Sequence, residues 1–549
     1  MLPPGLRTPH EVVAYYDKIY FDLLDSGIAH PFIYPWGSLG AFVVLLYLFI
    51  DHRQRPWLRR CRFPVFGCLC AFQSWCILTN RARNPASAFG VGLISSWATL
   101  WVSAVMVAND CQTDLKRIER SDKVLSDRPA KTRAEQNGTI ANGTATVLHA
   151  NGDLRQRKQS FKSSLPATLS STYPPANRHG PYFWQAYPEG PFIERLDWVA
   201  DIFCSFRGVG WSWRTAGVPP PPNSVQAQLD GKIDATAHDE KTFEVSKGGI
   251  TSFNDRNALL KHTAIRLVIG YLALDTLKTV IMQDPYFFGY TDAPAPAFLP
   301  SIMQDSFVLY KTYRLLLSLA CIYTALWTIF KLGPMFFCGV LGPKWIGVRG
   351  EPWLNPADQF GSYMSVADKG LTGWWGIWWH QTFRLAFEAP AKRILEATGV
   401  NKRSAIGKAL SLFVAFFLSG CLHASGSYTQ LGETRPFRGP MCFFLLQACG
   451  IFAQTLLSQQ LKRTGIMDRI PKPVKQTAYF VLTHVWLYHT APLLVDDFAK
   501  GGVWLFEPVP ISIWRGLGFG HHDDGWWCWW NGIVWWRSGG HFWDTGIAL

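Results

Sequence analysis

Apolar residues in this chain come in blocks of membrane-crossing length, and a chain so patterned has few folds open to it. A helix needs about 20 apolar residues to cross roughly 30 Å of hydrocarbon. Blocks of that kind stand at 32–50, 64–80, 86–108, 262–283, 306–330, 406–425, 438–458 and 477–495. A shorter run at 502–519, broken by Gly and Pro, reads as a ninth span or a re-entrant piece. Backbone polar groups inside hydrocarbon must bond within their own segment, so each block is expected as helix. The expected fold class is an all-α polytopic membrane protein of about eight or nine spans, with interfacial or re-entrant helices between them. Charged residues are only 17% of the 549, against about 25% in soluble domains, which argues against a string of soluble domains.

A net charge of +14 could indicate nucleic acid, but here the cations flank apolar blocks, where membrane topology places them. Arg53, Arg55, Arg59, Arg60 and Arg62 follow the first block, and Lys462, Arg463, Arg469, Lys472 and Lys475 precede the eighth. Residues 284–305 contain no Lys or Arg. Eight spans with the N-terminus outside put both basic connections in the cytosol, the first span acting as an uncleaved anchor. Arg81 and Arg83 run against this scheme. The expected surroundings are membrane lipids and not nucleic acid. The 12 Cys include no CxxC pair, so reduced thiols are expected and no zinc site.

The chain divides into a lead with three spans (1–111), a polar insert (112–180), an aromatic segment (181–215), a linker (216–261), a membrane core (262–520) and a Trp-rich tail (521–549). The insert has few large apolar residues and reads as disordered; it carries sequons at Asn137 and Asn142. In 181–215, Phe192, Leu196, Val199 and Phe203 recur at helical spacing, as expected of an amphipathic helix on the bilayer surface.

Two regions could carry chemistry. In Gly373–Arg384, read as one helix, His380 and Arg384 share a face at i, i+4, with Trp375 and Trp379 in a neighbouring stripe. Indoles favour the membrane boundary, so the block is expected as an interfacial or re-entrant helix on the cytosolic side. An aromatic belt with an incidental His is the plain alternative. The imidazole and guanidinium, with Lys392, Arg393, Lys402, Arg403 and Lys408 following, would suit a polyphosphate such as the nucleotide end of coenzyme A. The second region is 406–425, where His423 interrupts an apolar span. Ser419 lies one turn before it, and Gly420 leaves room for a close neighbour. An intramembrane His is a functional candidate by default, although it can also be a partner for an adjacent helix.

Other polar residues weigh less. Asp275 and Lys278 stand at i, i+3 and are expected to neutralise each other. His484 and His489 are five apart and do not share a face. His521-His522-Asp523-Asp524 is expected as a solvated turn. A transporter would need Asp275, Lys278 and His484 as a polar path, and a haem protein would need His423 facing His484 or His489.

Trp378-Trp379-His380-Gln381-Thr382-Phe383-Arg384, followed by Ser419-Gly420-Cys421-Leu422-His423, resembles the membrane-bound O-acyltransferase superfamily, in particular its wax-synthase-like branch. Arg207-Gly208-Val209-Gly210-Trp211 resembles a further block of that branch, and the likeness covers about 181–215 and 262–520. The resemblance implies helices enclosing a tunnel, entered by acyl-CoA from the cytosol. It implies His423 as general base and His380 as the group that polarises the thioester, protonated or donating. Trp378, Trp379, Gln381 and Arg384 would line the acyl-CoA path, with no metal and no bound cofactor. Fungal members of similar size are implied to move acetyl from acetyl-CoA to hydroxyls of lipophilic terpenoids or polyketides at the endoplasmic reticulum. Plant-type relatives join fatty acyl-CoA to fatty alcohols.

Overall fold

The computed structural model describes residues 2–121, 181–231, 241–532 and 534–549. Every one of the eight apolar blocks contains a helix. Among the described residues, five helices are long and apolar enough to cross a membrane: Pro56–Thr79, Pro85–Ala108, Phe307–Gly350, Ala405–Tyr428 and Phe437–Arg463. The first block supplies only a shorter apolar helix, Trp36–Phe49. Arg256–Ile281 and Lys472–Thr490 are long, but charged and polar residues such as Arg266, Asp275, Lys278 and Lys475 dilute their hydropathy. The 502–519 run is broken, with short helical turns at Val503–Leu505 and Ile513–Gly516.

Local chemistry sets the helix starts. Asn84 accepts bonds from the amides of Ala86 and Ser87 at the head of Pro85–Val102, where Pro85 needs no amide partner. Ser404 caps Ala405–Tyr428 through the Gly407 amide at 3.0 Å. Asp255 caps Arg256–Ile281 through the Ala258 amide at 2.7 Å.

The His423 helix, Ala405–Tyr428, lies in the middle of the assembly. Against the Pro85–Val102 helix the approach is so close that a Cβ on Gly92 would stand 2.0 Å from the Ser425 carbonyl oxygen. Small residues allow this contact in a membrane, where packing rather than water drives association. On another side Gly420 faces Met441, whose sulfur would lie 2.7 Å from an added Cβ, the close neighbour expected there.

The chain ends meet. Strand Ile33–Tyr34 pairs with Gly546–Ala548, which also pairs with Trp535–Arg537. The Trp-rich tail thus covers the first helix, Pro9–Asp25, with Trp530 stacked on His10 and Trp535 edge-on to Tyr20. Arg83 donates two bonds to Asp17 (2.9 and 2.6 Å) and one to Asn531. Arg81 bonds the Ile77 and Asn80 carbonyls. The two arginines that oppose the charge bias are therefore tied to the protein.

The polar segments hold more structure than their composition predicts. Strand Arg117–Arg120, at the edge of the polar insert, pairs with Tyr182–Gln185. Buried Arg117 ties this hairpin to Asp197 and Asp201. Residues 122–180, with Asn137 and Asn142, lie outside the described residues. The aromatic segment is strand Tyr182–Gln185, then helix Phe192–Cys204. Its Trp198, Val199 and Ile202 are fully buried against Leu48, Trp101 and Trp211, while Phe192 and Ile193 stay exposed. Most of that apolar stripe packs on protein. The linker contains helix Asn223–Leu229 and a hairpin of Phe243–Val245 with Thr251–Phe253.

Candidate active site

One face of the His423 helix borders a cavity of about 810 Å³. Lys408, Ser411, Ala415, Ser419, Leu422 and His423 all line it, at the spacing of a single helical face. At 1.5 Å per residue the wall runs about 22 Å from Lys408 to His423. His423 stacks on Phe444, with ring centroids 4.6 Å apart, and lies 6.3 Å from the Phe89 ring. Its Nδ1 is buried without a hydrogen-bond partner. An intact, capped helix and two aromatic rings thus hold an imidazole with no structural bond to occupy it.

The Trp block forms the facing wall, but not as the continuous helix expected. Helix Met364–Gly373 passes into a wider π-turn at Trp374–Trp378, closed by the Trp379 amide on the Trp374 carbonyl at 2.7 Å. Trp379 is then extended (φ −62°, ψ 140°), and helix resumes only at Arg384. The i, i+4 relation of His380 and Arg384 therefore does not form. Gln381 repairs the break: its amide donates to the carbonyls of Trp375 (2.9 Å) and Trp379 (2.6 Å). Its oxygen accepts from Arg384 at 3.1 Å. A π-turn inside a helix frees carbonyls and re-aims side chains, a device common at functional sites.

The break turns His380 into the cavity, alongside Trp375, Trp379, Gln381 and Arg384. Trp378 does not border it. Its indole packs instead among Trp374 (4.4 Å), Tyr363 (4.9 Å) and Phe360 (6.0 Å). His380 Nδ1 has no partner. Burial, and after it the Arg207 guanidinium, push the His380 imidazole down to about 4. That shift favours the neutral imidazole near pH 7.

Arg207 was legible only as part of a block; its place beside His380 was not. It is 7% exposed and donates to the Asp358 carbonyl (2.8 Å) and to Gln359 (3.0 Å). Gln359 also accepts from Thr382 at 3.1 Å, so Arg207 steadies the residues around His380. No spacing rule links 207 to 380, and only the fold joins them.

At one end the cavity is cationic: Arg384, Lys402 and Lys408 border it, with Glu388 beside them. Arg384 pairs with Glu388 at 2.5 Å. Lys392 and Arg393 do not line it and pair with Glu396 on the surface. At the other end the wall comes from Leu274, Leu277, Lys278 and Ile281, and from Val503, Trp504, Phe506 and Pro508 of the broken run. Lys278 does not pair with Asp275. It donates to the Trp504 carbonyl at 2.7 Å and lies 3.6 Å from Glu507. Asp275 instead caps the Ile513–Gly516 turn, accepting from Ser512 and from the Ile513 amide at 2.7 Å. Three residues along a helix leave two side chains free to turn to different neighbours.

The other candidate histidines lie elsewhere. His484 is held by Tyr363 and the Phe480 carbonyl, both at 2.7 Å, and neither it nor His489 borders the cavity. His521 meets the Met282 carbonyl at 2.9 Å, and His522 pairs with Asp523 on the surface.

Residues 356–446, which contain His380, His423 and the cationic end, match the Membrane bound O-acyl transferase family. The likeness to that family is carried by this segment. Among curated proteins, O-Mevalon transferase yanI of Aspergillus niger is 24% identical over 311 residues, 54% of this chain and 61% of that protein. O-Mevalon transferase macI of Penicillium terrestre is 23% identical, covering 53% of this chain and 60% of its own. Acetyltransferase ple2 of Rhodocybe pseudopiperita is 25% identical, covering 60% and 74%. The chain thus spans about six-tenths of the length of the two O-mevalon transferases. No solved structure matches it. The match to the Membrane bound O-acyl transferase family, together with the five apolar helices among the described residues, supports an integral membrane protein.

Proposed function

We propose that the chain is an O-acyltransferase that moves an acyl group, acetyl in the first instance, from acyl-CoA to a hydroxyl of a lipophilic secondary metabolite. One observation carries this reading: two imidazoles without structural partners face one largely apolar cavity that is cationic at one end. Two groups able to handle protons, an anion-attracting mouth and room for a hydrophobic molecule are what such a transfer requires. The family match, and relatives named acetyltransferase or O-Mevalon transferase, support it.

Lys402 and Lys408 would attract the nucleotide phosphates of coenzyme A at the mouth. The pantetheine arm would follow the His423 helix inward, bringing the thioester between the two histidines. His423 takes the acceptor's hydroxyl proton as the oxygen attacks the thioester carbonyl. Neutral His380 donates its N–H to the developing oxyanion. The C–S bond then breaks, and His423 returns the proton to the departing thiolate. No acyl-enzyme is needed, because coenzyme A is a good leaving group. The aromatic walls would limit access of water to the thioester.

A cavity of about 810 Å³ is at the upper end of ordinary ligand pockets and far exceeds what an acetyl group fills. The cavity must also take the pantetheine arm and the acceptor, so it is the two relatives named O-Mevalon transferase that favour a second reading in which the donor carries a bulkier acyl group. A long-chain donor to a fatty alcohol belongs to the same set. The test is thiol release by membranes expressing the chain, with acetyl-CoA and with longer acyl-CoAs, across hydroxylated terpenoids, polyketides and a fatty alcohol. Acceptor-dependent release is expected. Release that is absent with every donor and acceptor, at verified expression, would overturn the proposal.

A further inference from the structure

Lys278 is the one charged side chain among the described residues lining the cavity away from its cationic mouth. Its neighbours on the same helical face, Leu274, Leu277 and Ile281, are apolar, and so are Ile322, Phe498 and Phe506 across the cavity. The side chain is 3% exposed. An ammonium buried in such a wall is costly unless its hydrogens are used. Of its three hydrogens, one goes to the Trp504 carbonyl at 2.7 Å, and Glu507 at 3.6 Å is beyond good hydrogen-bond length.

The cations around it are already matched by carboxylates. Glu507 is already held by two bonds from Arg515, at 2.9 and 2.7 Å. Asp275 spends its oxygens on Ser512 and on the Ile513 and Trp514 amides. Two cations, Lys278 and Arg515, thus face three carboxylates, Glu507, Asp275 and Asp524. A ligand carboxylate would add an uncompensated charge; a neutral oxygen would not.

The place is also separated from the proposed base by a fixed frame. His423 lies beside Phe89 (6.3 Å), Phe89 meets Phe498 (5.2 Å), and Phe498 meets Trp504 (5.9 Å), whose carbonyl Lys278 holds. A molecule with one oxygen at His423 and another at Lys278 would span this aromatic wall.

We propose that Lys278 is a specificity-determining residue for the acceptor, donating a hydrogen bond to a neutral oxygen, a ketone, lactone or second hydroxyl, remote from the hydroxyl that is acylated. The acceptor is thereby an oxygenated hydrophobic skeleton, not a simple fatty alcohol. This rests on the O-acyltransferase reading and narrows its substrate class.

The test is a matched set of alcohols on one terpenoid skeleton: with a distal ketone, without it, and with a distal carboxylate. Wild-type membranes are expected to prefer the ketone over the deoxy compound by roughly 10- to 100-fold in kcat/KM, the effect of one hydrogen bond from a charged donor, and to disfavour the carboxylate. Lys278→Met brings the ketone preference close to one. That ratio is internal to each preparation, so a lower yield of folded protein does not alter it, and Lys278→Gln serves where the Met variant does not accumulate. A wild-type enzyme that acylates these alcohols without favouring the ketone overturns the inference, as does a ratio unchanged in both variants. A preference for the carboxylate overturns the neutral-oxygen assignment. Absence of transfer to any alcohol with any donor overturns the O-acyltransferase reading itself.

Discussion

His423 and His380 face the same cavity from opposite kinds of backbone. The first sits on an unbroken 24-residue helix, Ala405–Tyr428, locked by close glycine contacts on two sides. The second sits on a break between a π-turn and a new helix, held by the side-chain amide of Gln381. A rigid helix positions a group that must meet substrate at one point. A broken helix can aim a side chain that regular geometry would turn elsewhere, but it needs other side chains to keep it there. The two histidines should therefore differ in how far the effect of a mutation spreads.

Removing the proposed base is the harshest test of that difference. His423→Ala is expected to lower acyl transfer by about 10²- to 10⁴-fold, the ordinary range for general-base loss, with acyl-CoA binding nearly unchanged. Loss of acyl-CoA binding in a folded variant would break the assignment. His380→Ala should cost about 10²-fold in kcat, as for one oxyanion donor, and raise KM for acyl-CoA as well. Unchanged kinetics would remove His380 from the site.

Gln381→Ala sharpens the comparison, because it leaves both imidazoles in place and frees the carbonyls of Trp375 and Trp379. A loss of about 10-fold in kcat/KM is expected from roughly 1–2 kcal/mol of unmet hydrogen bonding, and Gln381→Glu should not restore it, since a carboxylate cannot donate. The smallest effects belong to the mouth. Lys402→Met and Lys408→Met should each raise KM for acyl-CoA a few-fold with little change in kcat. Added salt should diminish the wild-type advantage. A change in kcat instead would place these lysines nearer the reacting atoms than the cavity does.

The same contrast explains what could be read from the residues in advance. His423 stood out as a candidate because an imidazole in an apolar run is costly without a partner, and helical spacing placed Ser419 on the same cavity-lining face. The block around His380 was legible as a candidate but not as a shape. Spacing predicted a straight helix, whereas the π-turn is bridged by Gln381, and Thr382 beside it is tied to Gln359 and through Gln359 to Arg207, which is distant in sequence. Trp378 shows the consequence: in a straight helix it shares the block's prospects, but after the π-turn it faces Phe360 and Tyr363. Lys278 and Asp275 illustrate a further limit, since adjacency on a helix suggested a pair while each found a partner from the broken run near the C-terminus.

The most direct measurement sets acyl transfer beside acyl-CoA binding in purified wild type and His423→Ala. With His423 as base in a preformed cavity, the variant binds acyl-CoA as the wild type does, and transfer to the best acceptor falls by at least about 10²-fold. A variant that still transfers at the wild-type rate would contradict the account.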